Sequence, residues 1–356
     1  MATALPKFAP PRSFHTELRR RTTQYFQTEG KPQTGNAALL GKAALLISLL
    51  VALYVHLVFF TPATGWSLLE CVALGGVMAT VGFNVMHDGA HGSFSQHSWL
   101  NRVAAFTLNV MGGSSYMWDA KHNTVHHMYT NIDGVDDDLD IQPWMRMTPD
   151  QKRYWAHRFQ HLYFWFLYCM LYISWIFVMD YQKYFTKKIG DIPLKPMSRN
   201  DQFIFWGFKA LNLGLFIALP VYMVGFVSWL VGFLVTMCVL GFIMSIVFQL
   251  AHTVEQAAFP VPHAITHKME DEWAIHQLRT TANFATNNRV ISWLVGGLNF
   301  QVEHHLFPKV SHVHYPNLSK IIKQTCAEFE VPYQEYPKMW QAVVSHITFL
   351  RQMGRA

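Results

Sequence analysis

The sequence predicts an all-α integral membrane fold: four transmembrane helices in two hairpins, interfacial helices beside them, and a cytoplasmic helical cap. Three observations carry this. Of 356 residues, 51% are hydrophobic and 14% charged, with 27 Phe, 14 Tyr and 12 Trp, a composition too apolar and aromatic for a soluble domain of this size. Five stretches reach or approach the roughly 20 apolar residues that a bilayer requires: 38–60, 68–86, 161–179, 203–224 and 228–250. Lysine and arginine crowd some of the intervening segments and are missing from others.

In chain order, residues 1–37 read as a polar cytoplasmic segment with Arg19, Arg20 and Arg21. It lacks a short cleavable apolar core, so the first span serves as the insertion signal. "TPATGWS" joins spans 38–60 and 68–86, and "GFV" joins 203–224 and 228–250. Neither connector holds Lys or Arg, so both face away from the cytoplasm. Basic residues gather instead at the N-terminus, in 102–158 and 183–199, and after 260, which places these segments on the cytoplasmic side. This accounts for the net charge of +6 without a nucleic-acid partner.

The stretch 161–179 would violate that parity if it crossed. Its Tyr163, Trp165, Tyr168, Tyr172 and Trp175 favour the water–lipid boundary, so it reads as an interfacial helix. Lys42 and Lys209 sit near cytoplasmic span ends, where they can snorkel. No linker or internal repeat divides the chain; residues 38–340 read as one membrane domain and 341–356 as a C-terminal tail. Cys71, Cys169, Cys238 and Cys326 lie far apart, mostly in apolar stretches, and form neither a disulfide framework nor a thiolate metal site.

The 19 histidines are clustered. His87 and His91 are four residues apart, on one helical face where the second span reaches the cytoplasm. In "KHNTVHH", His122 and His126 repeat that spacing and His127 follows. In "QVEHH", Gln301, His304 and His305 share one face, and His252 ends the last span. Each pair alone is weak evidence, because an H-x-x-x-H on a helix is more often accidental. Three groups at matching depth, with His252, supply eight histidines and a glutamine, more than one ion can use, so two metals follow. His97, His157, His161, His276, His312 and His314 are left to ordinary structural roles.

Imidazole suits zinc, copper, iron and nickel, so ligand type does not choose among them. Eight histidines exceed a zinc site of three or four ligands, and four or five nitrogens per ion suit iron with open positions for oxygen. The Glu-x-x-His pairs of carboxylate di-iron bundles are missing. Asp88 and Glu303, beside box histidines, are candidates to orient ring N–H groups and offset the metal charge, as is Asp138. Asp138 belongs to a run with Asp136, Asp137 and Asp140 that reads equally well as a solvated loop or a headgroup contact.

"HDGAH" (87–91), "HNTVHH" (122–127), "QVEHHLFP" (301–308) and "HVHYPNL" (312–318) carry a resemblance. Over roughly residues 38 to 340 the chain resembles integral-membrane fatty acid desaturases, of the superfamily that also holds membrane hydroxylases and ketolases. Gln301, where most of these have the first histidine of the third box, is similar to the front-end branch, which places a double bond between an existing one and the carboxyl end. The resemblance implies that His87, His91, His122, His126, His127, His304 and His305 ligate two iron ions. It implies further that His252 is the extra ligand from the last span, and that Gln301 fills the remaining position directly or through water. The cap thus holds a di-iron site.

Dioxygen is the implied co-substrate, and the implied substrate is a fatty acyl chain on coenzyme A or a phospholipid. No "HPGG" haem motif is present, so the implied electron donor is separate: a b-type cytochrome, or a ferredoxin with its reductase. Location in a bacterial inner membrane or the endoplasmic reticulum, with both termini cytoplasmic, follows. A narrow apolar tunnel is expected, its end lined by first- and second-span residues. Rival readings are an acyl hydroxylase, conjugase or sphingolipid desaturase on the same scaffold. More distant are a membrane zinc hydrolase and a histidine-ligated electron carrier.

Overall fold

The computed structural model describes residues 5–11 and 13–356. Five of its helices are long and apolar enough to cross a membrane: α2 (Ala37–Phe60), α3 (Thr64–Ala90), α6 (Trp155–Thr186), α7 (Arg199–Val224) and α8 (Phe226–His252). Two turns close the expected hairpins. After α2 the chain turns at Thr61, whose φ is 41°, and between α7 and α8 it turns at Gly225, whose φ of 82° lies in the left-handed region that glycine enters without steric cost. The helices overrun their expected limits at the histidine-bearing ends. Thus α3 continues to Ala90 and α8 to His252, which carries His87 and His252 up to the cap.

The α6 helix is longer than the predicted stretch 161–179 and packs along α8. Contact there needs small residues. A Cβ on Gly241 would stand 2.6 Å from the Cys169 carbonyl oxygen and 2.9 Å from that of Tyr168. Ser245, one turn on, donates its hydroxyl to the same Tyr168 oxygen at 3.3 Å. Backbones approach this closely at small-x-x-x-small faces. On the opposite flank Gly75 of α3 lies against Thr236 of α8.

The cap is built from shorter pieces: α1 (Ser13–Glu29), α4 (Ser98–Ala105), α5 (residues 115–129), α9 (Trp273–Thr280), α10 (Arg289–Leu294), α11 (Gln301–Leu306), α12 (Tyr315–Glu328) and α13 (Met339–Met353). Strand β1 (Lys7–Ala9) pairs in parallel with β4 (Lys268–Glu272), and β5 (Asn283–Phe284) with β6 (Glu335–Tyr336). The small antiparallel pair β2 (Lys188–Ile189) and β3 (Ile192–Pro193) precedes α7. A core of Phe14, Leu18, Phe26, Leu278, Val302, Leu318 and Ile322 glues α1, α9, α11 and α12 together.

Three expectations change. Residues 341–353 of the stretch read as a C-terminal tail belong to α13, which docks His346 between Tyr168 of α6 and Thr253 after α8, at 2.8 and 2.7 Å. Its Ala342, Phe349 and Leu350 are buried, an apolar stripe that a tail would leave in water. Lys209 does not snorkel. Its ammonium is buried and gives three bonds, to the carbonyls of Gly112 and Ile176 and to Asp180 at 2.8 Å, because at that position it faces α6 rather than headgroups. Lys42 likewise turns inward, to Asn84 and the Trp293 carbonyl.

Candidate metal centre

The three histidine boxes and His252 converge in the cap. One ring nitrogen from each of His87, His91, His122 and His304 lies within 4.8 Å of the others, and His126, His252 and His305 form a second such group. His127 stands between them, its ring centroid 4.5 Å from those of both His304 and His305, and its Nε2 is 3.2 Å from His122 Nε2. All eight rings are buried.

Local geometry explains the convergence. His87 and His91 follow one another on the end of α3, with ring centroids 4.6 Å apart. In "HDGAH", Gly89 lets α4 close over this turn. A Cβ there would meet Ala104 Cβ at 2.6 Å and the backbone of Asn101 and Ala105 at 2.8 Å. In α5 the residues 119–126 form a π-helical segment. Its wider turn alters the spacing of His122, His126 and His127, so that the box serves both groups. His304 and His305, adjacent on α11, divide between the groups.

Whether metal ions fit is decided by the atoms left without partners. His87 Nε2, His91 Nε2, His252 Nε2, His304 Nε2, His305 Nε2 and His127 Nδ1 are buried with no hydrogen bond. Buried polar atoms are normally satisfied, and unpartnered nitrogens on rings this closely grouped fit metal ligation. On several of these rings the second nitrogen is held. His252 Nδ1 donates to the Thr280 carbonyl at 3.2 Å, and His305 Nδ1 to Gln277 Oε1 at 2.9 Å. His304 Nδ1 lies 3.1 Å from the Tyr315 hydroxyl. Such contacts on Nδ1 leave the Nε2 lone pair facing the centre.

Electrostatics agree. Burial lowers the pKa of His91, His122, His127, His304 and His305 well below the ordinary value, reinforced by neighbouring rings, so each is the neutral imidazole that a metal binds. His126 goes the other way. Burial opposes its charged form, but Asp136 and Asp138 outweigh that and raise its pKa. Lys121, 2.7 Å from Asp138, closes this charge cluster.

The candidate orienting carboxylates fare differently. Asp138 lies 3.3 Å from His126 Nδ1, yet Asp136 from the same run is closer, at 3.0 Å. Asp88 turns from the rings; its Oδ2 accepts from Ser311 at 2.6 Å and His312 at 2.9 Å. Glu303 also faces outward, to Tyr333 at 2.8 Å and Asn283 at 2.7 Å, and burial pushes its pKa up to about 7. Both follow from helical geometry, since a residue adjacent to a ligand points about 100° away from it. Gln301 begins α11, buried, with its Nε2 unpartnered. Gln277, Thr280 and Tyr315 were not singled out from the sequence. Gln277 and Thr280 lie in the motif-free run "AIHQLRT", and Tyr315, although inside "HVHYPNL", contacts the site only through folding.

Against the rings of His122, His126 and His252 opens a cavity of about 140 Å³, walled by Met117, Trp118, Trp175, Met244 and Phe248. It shares Leu171, Met179, Lys183 and Gln249 with a wider opening of about 1310 Å³ between α6 and residues 133–145. No residue of α2 or α3 walls this cavity, because α6 occupies the side of α8 that faces the second histidine group; a separate cavity of about 360 Å³ lies between the hairpins, lined by Leu57 and Val58 of α2, Leu68 and Cys71 of α3, Phe216 of α7 and Phe233 of α8.

Comparison with known proteins agrees with this geometry. A family model described as fatty acid desaturase matches residues 63–337. The chain is 37% identical over 352 residues to an sn-1 linoleoyl-lipid 6-desaturase of Synechocystis, covering 98% of both chains. It is 34% identical to a protein of the same name from Arthrospira platensis, covering 99% of this chain and 95% of that one. It is 33% identical to an acyl-lipid (8-3)-desaturase of Physcomitrium patens, covering 96% of this chain and 72% of that one. This chain belongs to the fatty acid desaturase family of membrane oxidoreductases.

Proposed function

We propose that the eight rings hold two iron ions and that the enzyme desaturates, with dioxygen, the acyl chain of a membrane lipid at a front-end position. The observation that carries this is the convergence of eight buried rings, six with an orphaned nitrogen, beside a cavity of about 140 Å³ walled by Met117, Trp118, Trp175, Met244 and Phe248. The relatives' names, linoleoyl-lipid 6-desaturase and acyl-lipid (8-3)-desaturase, support the lipid-borne substrate and the front-end position. Iron supplies the oxidising power that no side chain has. His87, His91, His122 and His304 would hold one ion and His126, His252 and His305 the other, with His127 between them and Gln301 beside them, directly or through water.

The chain's own residues do the rest. Gln277, Thr280, Tyr315 and Asp136 fix ring orientation. Trp118, its plane 26° from that of His122 at 4.4 Å, and Phe248 hold the acyl chain against the centre and exclude water. The acyl chain gives up two hydrogens, a separate donor, b-type cytochrome or ferredoxin, supplies two electrons, and with two protons the dioxygen leaves as two waters.

Four spans, with both termini on the cytoplasmic side of a bacterial inner membrane or the endoplasmic reticulum, complete this reading. The contacts of α6 support its interfacial role, because both ends are tied to one loop. Gln160 exchanges bonds with Arg146, and Lys183 pairs with Asp137 at 2.9 Å. Gln151 in turn bridges Arg146 to Leu139 and Asp133. A crossing helix would carry one end to the far side of the bilayer.

Expression in a host fed a fatty acid panel, with lipids profiled by gas chromatography, tests the function. The expected product is a new double bond on the carboxyl side of an existing one. It should vanish, together with bound iron, in His304→Ala/His305→Ala. Hydroxylated product, or one zinc per chain, would overturn the proposal.

A further inference from the structure

We infer that electrons enter this enzyme through Trp273, from an acidic one-electron carrier protein docked on the face formed by β1, β4 and α1. The inference rests on the proposed metal-dependent function. Its starting point is a single helix. Every bond that α9 makes to the metal centre goes to a ligand residue: Gln277 to the His305 ring, the Thr280 carbonyl to the His252 ring, and Trp273 Nε1 to the His127 carbonyl oxygen at 3.1 Å. His127 is the ring that lies between the two groups. A short path, one hydrogen bond followed by the covalent bonds of His127, therefore joins the Trp273 indole to the centre of the site, and the rest of α9 reaches the second group.

The other end of that path opens outward. Trp273 is half-buried at the start of α9, and its outer neighbour is His15 of α1, with ring centroids 5.7 Å apart. No other tryptophan hydrogen-bonds a ligand residue among the described residues. Trp118 touches three rings but is buried and lines the acyl cavity, so it offers a protein donor no access. The spans close the opposite side of the site.

The charge of the surface selects the partner. Lys7 and Lys268 are paired across β1 and β4, and Arg19 projects from α1 beside His15; all three are exposed. Arg279 is offset by Asp271, and Arg20 by Glu17. Glu270 is the exposed acid that opposes them. A small, net-basic patch around a half-buried indole suits a transient encounter with an acidic carrier, in which charge sets the association rate and little area is buried. In each encounter the carrier loses one electron and the metal centre gains one through Trp273 and His127, so two encounters supply the pair that one desaturation consumes.

The test uses the iron-loaded enzyme in nanodiscs, with an acidic [2Fe–2S] ferredoxin and an acidic b-type cytochrome as probes. The rate of reduction of the oxidised centre is followed by stopped flow, with dithionite as a small reductant that needs no docking face. Trp273→Leu should slow reduction by at least one protein donor about tenfold or more, with dithionite reduction and iron per chain unchanged. Trp273→Phe, which keeps a ring but loses the hydrogen bond, should fall between. The triple variant Lys7→Glu/Arg19→Glu/Lys268→Glu should weaken donor association about tenfold and flatten its salt dependence. Unchanged donor-driven rates in Trp273→Leu would overturn the inference. So would an equal loss with dithionite, or a loss of iron, because Trp273 would then be structural. These rates are read without substrate, so they stand apart from any failure of the proposed desaturation.

Discussion

Where Nδ1 of a clustered ring is held, as on His252, His304 and His305, the residue that holds it decides which way Nε2 faces. Gln277 illustrates the point. Its Oε1 accepts from His305 Nδ1 at 2.9 Å and from the Thr130 hydroxyl at 3.0 Å. Gln277→Leu keeps the volume but removes the acceptor, so His305 is free to rotate or change tautomer. Iron per chain by elemental analysis and desaturation by lipid profiling should fall about 10- to 100-fold, with helix content by circular dichroism unchanged. Asp88→Asn should act more weakly on iron, because Asp88 secures Ser311 and His312 rather than a ligand. Legibility follows the same line. The clustered histidines were readable because a shared site imposes local spacing, i to i+4 or adjacent. Their supports were not, because Gln277 and Tyr315 meet the rings from 28 and 11 residues away.

At the scale of elements, the contact between α6 and α8 holds the cavity beside the rings open on one side and the core closed on the other. It depends on Gly241, where any side chain would strike the α6 backbone. Gly241→Leu should therefore part these helices. Overpacking of this kind costs typically about 1–3 kcal/mol, to be seen as a lower melting temperature in detergent. Activity should fall with it, since Leu171 and Trp175 of α6 and Met244 and Phe248 of α8 face each other across the cavity. Gly41, which has open space around it, is the control; Gly41→Leu should leave melting nearly unchanged.

For the molecule as a whole, the side of the membrane on which each segment lies is open to direct test. In a background without the four cysteines, single cysteines at Ala63, Asp150 and Asp191 can be labelled from either face of sealed vesicles. Asp150 and Asp191, which bracket α6, should label from one side and Ala63 from the other. Labelling of Asp150 and Asp191 from opposite sides would make α6 a fifth span and reverse the assigned sides of everything on one flank of it.

The sequence by itself determined the membrane class, the apolar helices and the turns that pair them, and which eight histidines gather. Each of these is written in short-range terms: runs of apolar residues, charge-free connectors, and histidines one helical turn apart. Tertiary structure alone decided how the rings divide between two groups, which residues hold their second nitrogens, that α13 is part of the body, and that α6 rather than the first two spans walls the cavity beside the rings. These depend on contacts between segments up to about two hundred residues apart, such as Gln160 with the Leu350 carbonyl, and no local pattern records which distant surface a side chain will meet.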